Sequence, residues 1–86
     1  MEIITTKKFD KQFSRQSVKI KEEFEKRITL FLSNVNNSIL NTHKLSGRFK
    51  GQWSFNVSGD IRVVYDTSYD GIVILVEIGS HSELYS

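Results

Sequence analysis

Between Ser17 and Val35 apolar residues return every three or four positions, at Ile20, Phe24, Ile28, Leu32 and Val35. Lys19, Lys21, Glu22, Glu23, Glu25, Lys26 and Arg27 lie between them. That is the period of an α-helix with one face turned to a core and the other to water. The helix should stop near Asn34, because Asn34, Asn36, Asn37 and Ser38 compete for backbone hydrogen bonds and favour turns. A shorter helix precedes it: Phe9 and Phe13 share one face while Lys7, Lys8, Asp10, Lys11 and Gln12 point elsewhere. Thr6 is placed to cap that helix, and the partly β-branched Glu2 to Thr5 reads as a brief strand entering it. The two helices form a hairpin.

From Trp53 the period falls to 2. Trp53, Phe55 and Val57 alternate with Ser54, Asn56 and Ser58, and then Ile61, Val63 and Tyr65 alternate with Arg62, Val64 and Asp66. A three-residue loop, Ser58-Gly59-Asp60, would pair Val57 with Ile61, Phe55 with Val63 and Trp53 with Tyr65. It gathers the large apolar side chains on one face, where a two-residue loop would mix the faces. The opposite face, with Asn56 across from Arg62 and Ser54 across from Val64, is mostly polar and needs no helix over it, so it is the candidate functional surface. Asp70-Gly71 is a favoured hairpin turn, and Ile72-Val73-Ile74-Leu75-Val76 behind it is apolar at both parities, as in a strand buried on both sides. Gly79 should end that strand, leaving polar and titratable groups from Ser80 to Ser86 just beyond it. The expected fold class is α+β, an N-terminal helical hairpin packed on a small, mainly antiparallel sheet in the order β-α-α-β-β-β. One domain spans residues 1–86.

Composition narrows the function. Eighty-six residues with 38% hydrophobic content suit one core and one site. The absence of cysteine removes disulfides, thiolate metal ligands and a cysteine nucleophile, and fits a reducing cytoplasm. No apolar run approaches the roughly 18 residues of a membrane span, and Met1 to Lys8 has no signal-like apolar region. A cytoplasmic protein with no membrane partner is expected. Net charge is +2, but residues 1–50 carry eleven Lys/Arg against five Asp/Glu, and residues 51–86 carry one against five. A basic half suits a polyanion; the lysines from Lys7 to Lys26 are better read as the solvated faces of the helices. The two histidines and Asp60 offer no close-spaced ligand pair, so no metal is expected. The isolated Gly47, Gly51 and Gly59 make no phosphate-cradling loop, so no nucleotide cofactor is expected either.

The order His43-Lys44-Leu45-Ser46-Gly47, Gly51-Gln52-Trp53, Asp60-Ile61-Arg62-Val63-Val64-Tyr65 and Ile78-Gly79-Ser80-His81-Ser82-Glu83-Leu84-Tyr85 resembles the YafQ branch of the RelE superfamily. Lys7-Lys8-Phe9 with Phe13 extends the likeness into the helical half. The resemblance implies the toxin of a type II toxin-antitoxin system, a ribosome-dependent mRNA interferase silenced by a cognate antitoxin protein. Its partners would be that antitoxin, the ribosome and mRNA. Residue by residue, His43 matches the histidine before the Leu-x-Gly motif, Asp60 the aspartate after the hairpin turn, His81 the C-terminal histidine and Tyr85 the aromatic residue near the end. Arg62 is similar to the strand arginine of the RelE branch. Asn56 departs from the pattern, falling where YafQ proteins carry another histidine and RelE proteins a lysine; it stands as a substrate-binding candidate.

The chemistry agrees with that implication. Cleavage of RNA by its neighbouring 2′-hydroxyl needs a base for the hydroxyl, positive charge for the phosphate and an acid for the leaving 5′-oxygen. An unperturbed histidine titrates near ~6.5 and can serve as either acid or base. A planar guanidinium binds phosphate oxygens as charge grows. The expectation is His43 as base, oriented by Asp60, and His81 as acid, with the two roles open to exchange. Tyr85 would stack on the substrate or hydrogen-bond it. Lys44, Arg48 and Lys50, between the helices and the sheet, would hold the RNA backbone or the ribosome, and reversing all three to Glu should spare the fold. Trp53 and Tyr65 belong to the core. Two other readings stay open: a ParE-like toxin that poisons DNA gyrase without cutting, for which paired acid and base are unnecessary, and a catalytically degenerate antitoxin-binding member, which Asn56 suggests.

Overall fold

The structure, a computed structural model, describes residues 1–85. In chain order the elements are β1 (Glu2–Thr5), α1 (Lys7–Ser14), α2 (Val18–Ser33), β2 (His43–Lys44), β3 (Trp53–Ser58), β4 (Ile61–Asp66), β5 (Ile72–Ser80) and α3 (His81–Tyr85), with 3-10 turns at Ser38–Leu40 and Gly47–Phe49. The strands form one sheet in the order β1-β5-β4-β3-β2. β1 runs parallel to β5, and every other neighbouring pair is antiparallel. The α+β architecture is the expected one, enlarged by the two-residue strand β2 and the short helix α3.

Both long helices start on side-chain caps. The Thr6 hydroxyl accepts the Phe9 N–H at 2.9 Å and donates to the Val76 carbonyl at 2.7 Å, so one residue caps α1 and fastens it to β5. Ser17 accepts the Ile20 N–H at 3.1 Å, and α2 ends at Asn34, whose N–H reaches the Leu30 carbonyl. The apolar stripe of α2 departs from the expected one. Phe31 is buried, while Leu32 and Val35 are 49% and 38% exposed. At 100° per residue Phe31 falls almost in line with Phe24, whereas Leu32 is turned roughly 80° away. Phe31 packs between Phe55 and Tyr65, with ring centroids 5.1 and 4.8 Å away.

The β3–β4 hairpin keeps the expected register at Trp53↔Tyr65, Ser54↔Val64, Phe55↔Val63 and Asn56↔Arg62, but its turn is different. Ser58 pairs with Ile61, so the loop has two residues, Gly59 and Asp60, and Val57 is the extra residue of a bulge. The bulge restores the parity that a two-residue loop would otherwise reverse. Gly59, at φ +54°, supplies a left-handed turn position that a side chain would oppose.

A core of Phe9, Phe24, Phe31, Leu40, Phe55, Val57, Val63, Tyr65, Val73, Leu75 and Ile78 lies between the helices and the sheet. Full burial of each such side chain stabilises by about 1.5–3 kcal/mol, so this face holds most of the fold's strength. The opposite face is not left uncovered, as the alternation alone suggested. There Phe49, Val64 and Leu84 make a second, smaller cluster under α3 and the Gly47–Phe49 turn. Nor does β5 stop at Gly79. It continues to Ser80, and α3 folds back over Gly79, where a Cβ would meet Glu83 at 3.3 Å and Leu84 at 3.6 Å. No helix among the described residues is long and apolar enough to cross a membrane.

Candidate active site

The candidate site residues meet on the second face. A cleft of about 370 Å³ opens there, lined by His43, Lys44, Leu45, Ser46, Arg62, His81 and Tyr85. Three separate parts of the chain supply it. β2 pairs His43 with Ser54 of β3, the hairpin brings Arg62 beside it on β4, and α3 carries His81 and Tyr85 across from the end of β5.

His43 is fixed by its neighbours. Its Nδ1 lies 3.0 Å from the Asn41 carbonyl, which can only accept, so Nδ1 carries the proton. Nε2 of the neutral ring is then the basic nitrogen, with the Ser54 hydroxyl 3.4 Å away. Asn41 reaches this position in a left-handed conformation, φ +47°, which asparagine tolerates better than most residues. His81 opens α3, and its ring centroid is 4.6 Å from that of Tyr85. Tyr85 in turn meets Phe49 edge-on at 5.6 Å. Burial pushes the Tyr85 hydroxyl above its ordinary pKa of 10.0, against a smaller opposing pull from the Arg62 charge, so the phenol stays protonated at neutral pH.

Asp60 does not orient His43. It accepts the His81 backbone N–H at 3.2 Å and lies 3.6 Å from the Arg62 guanidinium. The reason is register: β4 pairs Ile61 with Ser80, which sets the residue before one strand beside the residue after the other. Asp60 is mostly exposed, and such a pair contributes only about 0.2–1 kcal/mol, leaving the Arg62 charge largely available to a ligand.

The basic residues before β3 separate. Lys44 lines the cleft, while Lys50 is exposed and does not. Arg48 is taken up by the scaffold: its Nη2 donates to Glu77 Oε2 at 2.7 Å, its Nε to the Leu84 carbonyl at 3.1 Å, and its guanidinium lies 4.3 Å from the Phe49 ring centre. Glu77, a buried carboxylate, also receives Lys8 Nζ at 3.3 Å and Gln12 Nε2 at 3.1 Å from α1. Reversing Arg48 should therefore weaken the fold, which departs from the expectation for the three basic residues together. Asn56 lies opposite Arg62 but outside the cleft lining.

Several contributors were not anticipated: Leu45 and Ser46 in the lining, Asn41 and Ser54 at His43, and the cap of α3. In that cap the Ser80 hydroxyl accepts the Glu83 N–H at 3.2 Å, and Glu83 Oε1 accepts the Ser80 N–H at 2.8 Å. The spacing Ser80-x-x-Glu83 is the sequence signature of such a capping box. Among the described residues no group of three or more His, Asp or Glu side chains gathers as a metal site.

A family model described as the bacterial toxin of type II toxin-antitoxin system, YafQ, matches residues 1–86. No curated protein matches the chain by sequence. Among solved structures, YafQ from E. coli superposes with a TM-score of 0.81 at 19% identity, over 99% of this chain and 98% of the other. YafQ in the E. coli DinJ-YafQ complex gives 0.78 at 20% identity, over 99% and 98%. A YoeB/ParE toxin from Agrobacterium tumefaciens gives 0.78 at 19% identity, over 94% and 99%. At these identities the structures speak for the fold alone.

Proposed function

Because the chain belongs to the YafQ family of bacterial type II toxins, we propose that it is an endoribonuclease that cuts mRNA on the ribosome, without a metal, by attack of the 2′-hydroxyl on the adjacent phosphate. One observation carries this reading: two imidazoles and a guanidinium line a single cleft of phosphodiester size. His43 takes the 2′-hydroxyl proton on Nε2, the nitrogen left basic by the Asn41 contact. The 2′-oxygen then bonds to phosphorus while the terminal nitrogens of Arg62 bind the non-bridging oxygens as their charge increases. His81 donates a proton to the departing 5′-oxygen, leaving a cyclic 2′,3′-phosphate and a 5′-hydroxyl. Asp60 steadies Arg62 and the His81 backbone, and neutral Tyr85 offers the substrate a ring edge and a hydrogen-bond donor. Lys44 binds a flanking phosphate, and exposed Lys50 lends charge to ribosome association.

DinJ held with YafQ in the E. coli structure supports a cognate antitoxin as the regulatory partner; action on ribosome-bound mRNA would put both in the cytoplasm. The test incubates the purified protein, and a variant with both His43→Ala and His81→Ala, with translating ribosomes and maps mRNA 5′ ends. Cuts by the wild type alone are expected. Equal cutting by both removes the histidines from the mechanism, and growth arrest with intact mRNA and damaged DNA transfers the protein to the gyrase-poisoning class.

A further inference from the structure

β5 runs on past the strand beside it. β1 pairs with β5 only from Glu2↔Ile72 to Thr5↔Leu75, while β5 continues to Ser80. Side chains at α1 take over where β1 stops: the Thr6 hydroxyl donates to the Val76 carbonyl at 2.7 Å, and the Gln12 carboxamide oxygen accepts the Ile78 N–H at 2.9 Å. Between those two points sits Glu77, the one charged side chain buried among the described residues. A buried carboxylate is costly unless cations and hydrogen-bond donors meet it. Glu77 has three such partners: Lys8 Nζ at 3.3 Å and Gln12 Nε2 at 3.1 Å on Oε1, and Arg48 Nη2 at 2.7 Å on Oε2. Apolar side chains of similar volume commonly serve a fold as well as a buried ion pair does, so stability alone does not account for this one.

Arg48 carries the contact onward to the cleft. While Nη2 holds Glu77, Nε donates to the Leu84 carbonyl at 3.1 Å, and the guanidinium lies over the Phe49 ring, which meets Tyr85 edge-on. α3 has five residues, far fewer than the roughly 12–15 an isolated helix needs, so its place depends on what holds it. Its first turn is fixed by the Ser80–Glu83 cap and by Asp60 at the His81 N–H. Its far end, with Tyr85, is fixed by Arg48 and Phe49. A lysine could not replace Arg48, because one ammonium lacks the rigid fork that serves a carboxylate and a carbonyl at once.

We propose that Glu77 is a positioning residue for the cleft: by fixing the Arg48 guanidinium it holds the far end of α3 and sets the Tyr85 ring where the substrate meets it. Glu77 lies outside the cleft lining and acts only through Arg48. The consequence for cleavage rests on the nuclease reading; the placing of Tyr85 does not.

The test has a spectroscopic and a kinetic readout. By nuclear magnetic resonance the wild type should show Overhauser contacts from the Tyr85 ring to those of His81 and Phe49. Glu77→Leu removes the carboxylate and Arg48→Lys removes the fork; both should weaken the Tyr85 contacts and leave the Phe55 and Leu75 signals unmoved. Glu77→Gln serves as a second variant should the leucine misfold. Lys8→Met, which touches Glu77 but not Arg48, should leave Tyr85 as it is. On translating ribosomes Glu77→Leu and Arg48→Lys should lower kcat roughly ten- to a hundredfold with KM little changed, and Lys8→Met should cut like the wild type. Unaltered Tyr85 contacts in a folded Glu77 variant overturn the proposal, and so does an equal disturbance in Lys8→Met. Displacement of Tyr85 with no loss of kcat, in a protein that cuts, overturns it too. A wild type that cuts no mRNA defeats the nuclease reading alone, and the ring contacts still decide the part played by Glu77.

Discussion

The two faces of the sheet are built on different terms. The face under α1 and α2 is closed by large apolar side chains, and Phe31, Phe55 and Tyr65 interlock there at centroid distances of 4.8 to 5.8 Å. The other face has only Phe49, Val64 and Leu84 fully in its cluster, and beside them lie the three unpaired polar atoms Asn56 Oδ1, Arg62 Nε and Tyr85 Oη. Packing strength is concentrated on the helix-covered face, and two of the residues with unsatisfied polar atoms, Arg62 and Tyr85, line the cleft of the other. The same five strands serve both purposes, because alternate residues point to opposite sides. A substitution should therefore damage either folding or chemistry, according to its parity on the strand.

The largest effects test that division directly. Phe55→Ala opens a hole in the helix-covered face and should cost about 3–5 kcal/mol in denaturant unfolding. His43→Ala and His81→Ala, on the cleft face, should leave stability within about 0.5 kcal/mol. They should also cut mRNA cleavage by roughly 10²–10⁴-fold. A histidine variant as unstable as Phe55→Ala, yet still active in proportion to its folded fraction, would break the division.

A middle-sized effect comes from Arg48, whose partner Glu77 is also reached by Lys8 and Gln12 of α1. Reversal to Glu sets a second carboxylate against buried Glu77 and removes the donor to the Leu84 carbonyl. Because Arg48 is itself half-exposed, the cost should be about 1–3 kcal/mol, short of that for a fully buried pair. Lys44→Glu and Lys50→Glu should leave stability within about 0.5 kcal/mol and instead weaken ribosome association most at low salt. If unfolding midpoints for the three reversals coincide, the Glu77 network is not what holds α3 to the sheet.

How far the sequence revealed this arrangement follows from the length of each signal. α1 and α2 space their apolar residues at helical intervals, so both helices, the Thr6 cap and the end of α2 near Asn34 could be read directly, whereas the Ser17 cap was seen only in the structure. The choice of Phe31 over Leu32 could not, because both fit a three-or-four spacing and only the sheet beneath selects one. The bulge at Val57 is a register event that conserves parity, so the alternation looks the same with a three-residue loop or a bulged two-residue one. β2 and α3 are too short to show a period. α3 nevertheless left a trace in Ser80-x-x-Glu83, and the close packing over Gly79 gave a second. The gathering of His43, Arg62, His81 and Tyr85 was suggested by family likeness and not by spacing, since residues from three separate segments meet only through the sheet. The misplacement of Asp60 beside His43 has the same origin: its true neighbours follow from the β4–β5 register, which pairs Ile61 with Ser80.

The smallest effect isolates the cap of α3. The Ser80 backbone N–H, and after it the Ser80 hydroxyl, hold the Glu83 carboxyl below its ordinary pKa of 4.5. A carboxyl lowered in the folded state contributes its full stability above the ordinary value and loses it as pH falls through the lower folded value. Acid should therefore loosen α3 while the helix-covered core stays closed. Asp66 is depressed as well, by the Ser68 hydroxyl and then the Ser68 backbone N–H, so acid also slackens the turn after β4. Glu83→Gln separates the two carboxyls. At neutral pH its Leu84 and Tyr85 backbone resonances should already be displaced toward the positions that the wild type reaches only in acid, with Phe55 and Leu75 unmoved. The remaining acid response in that variant should be confined to the Asp66 turn. Identical titration of Leu84 and Tyr85 in the variant and the wild type would mean that the Arg48 contact, and not the Ser80–Glu83 cap, keeps His81 over the cleft.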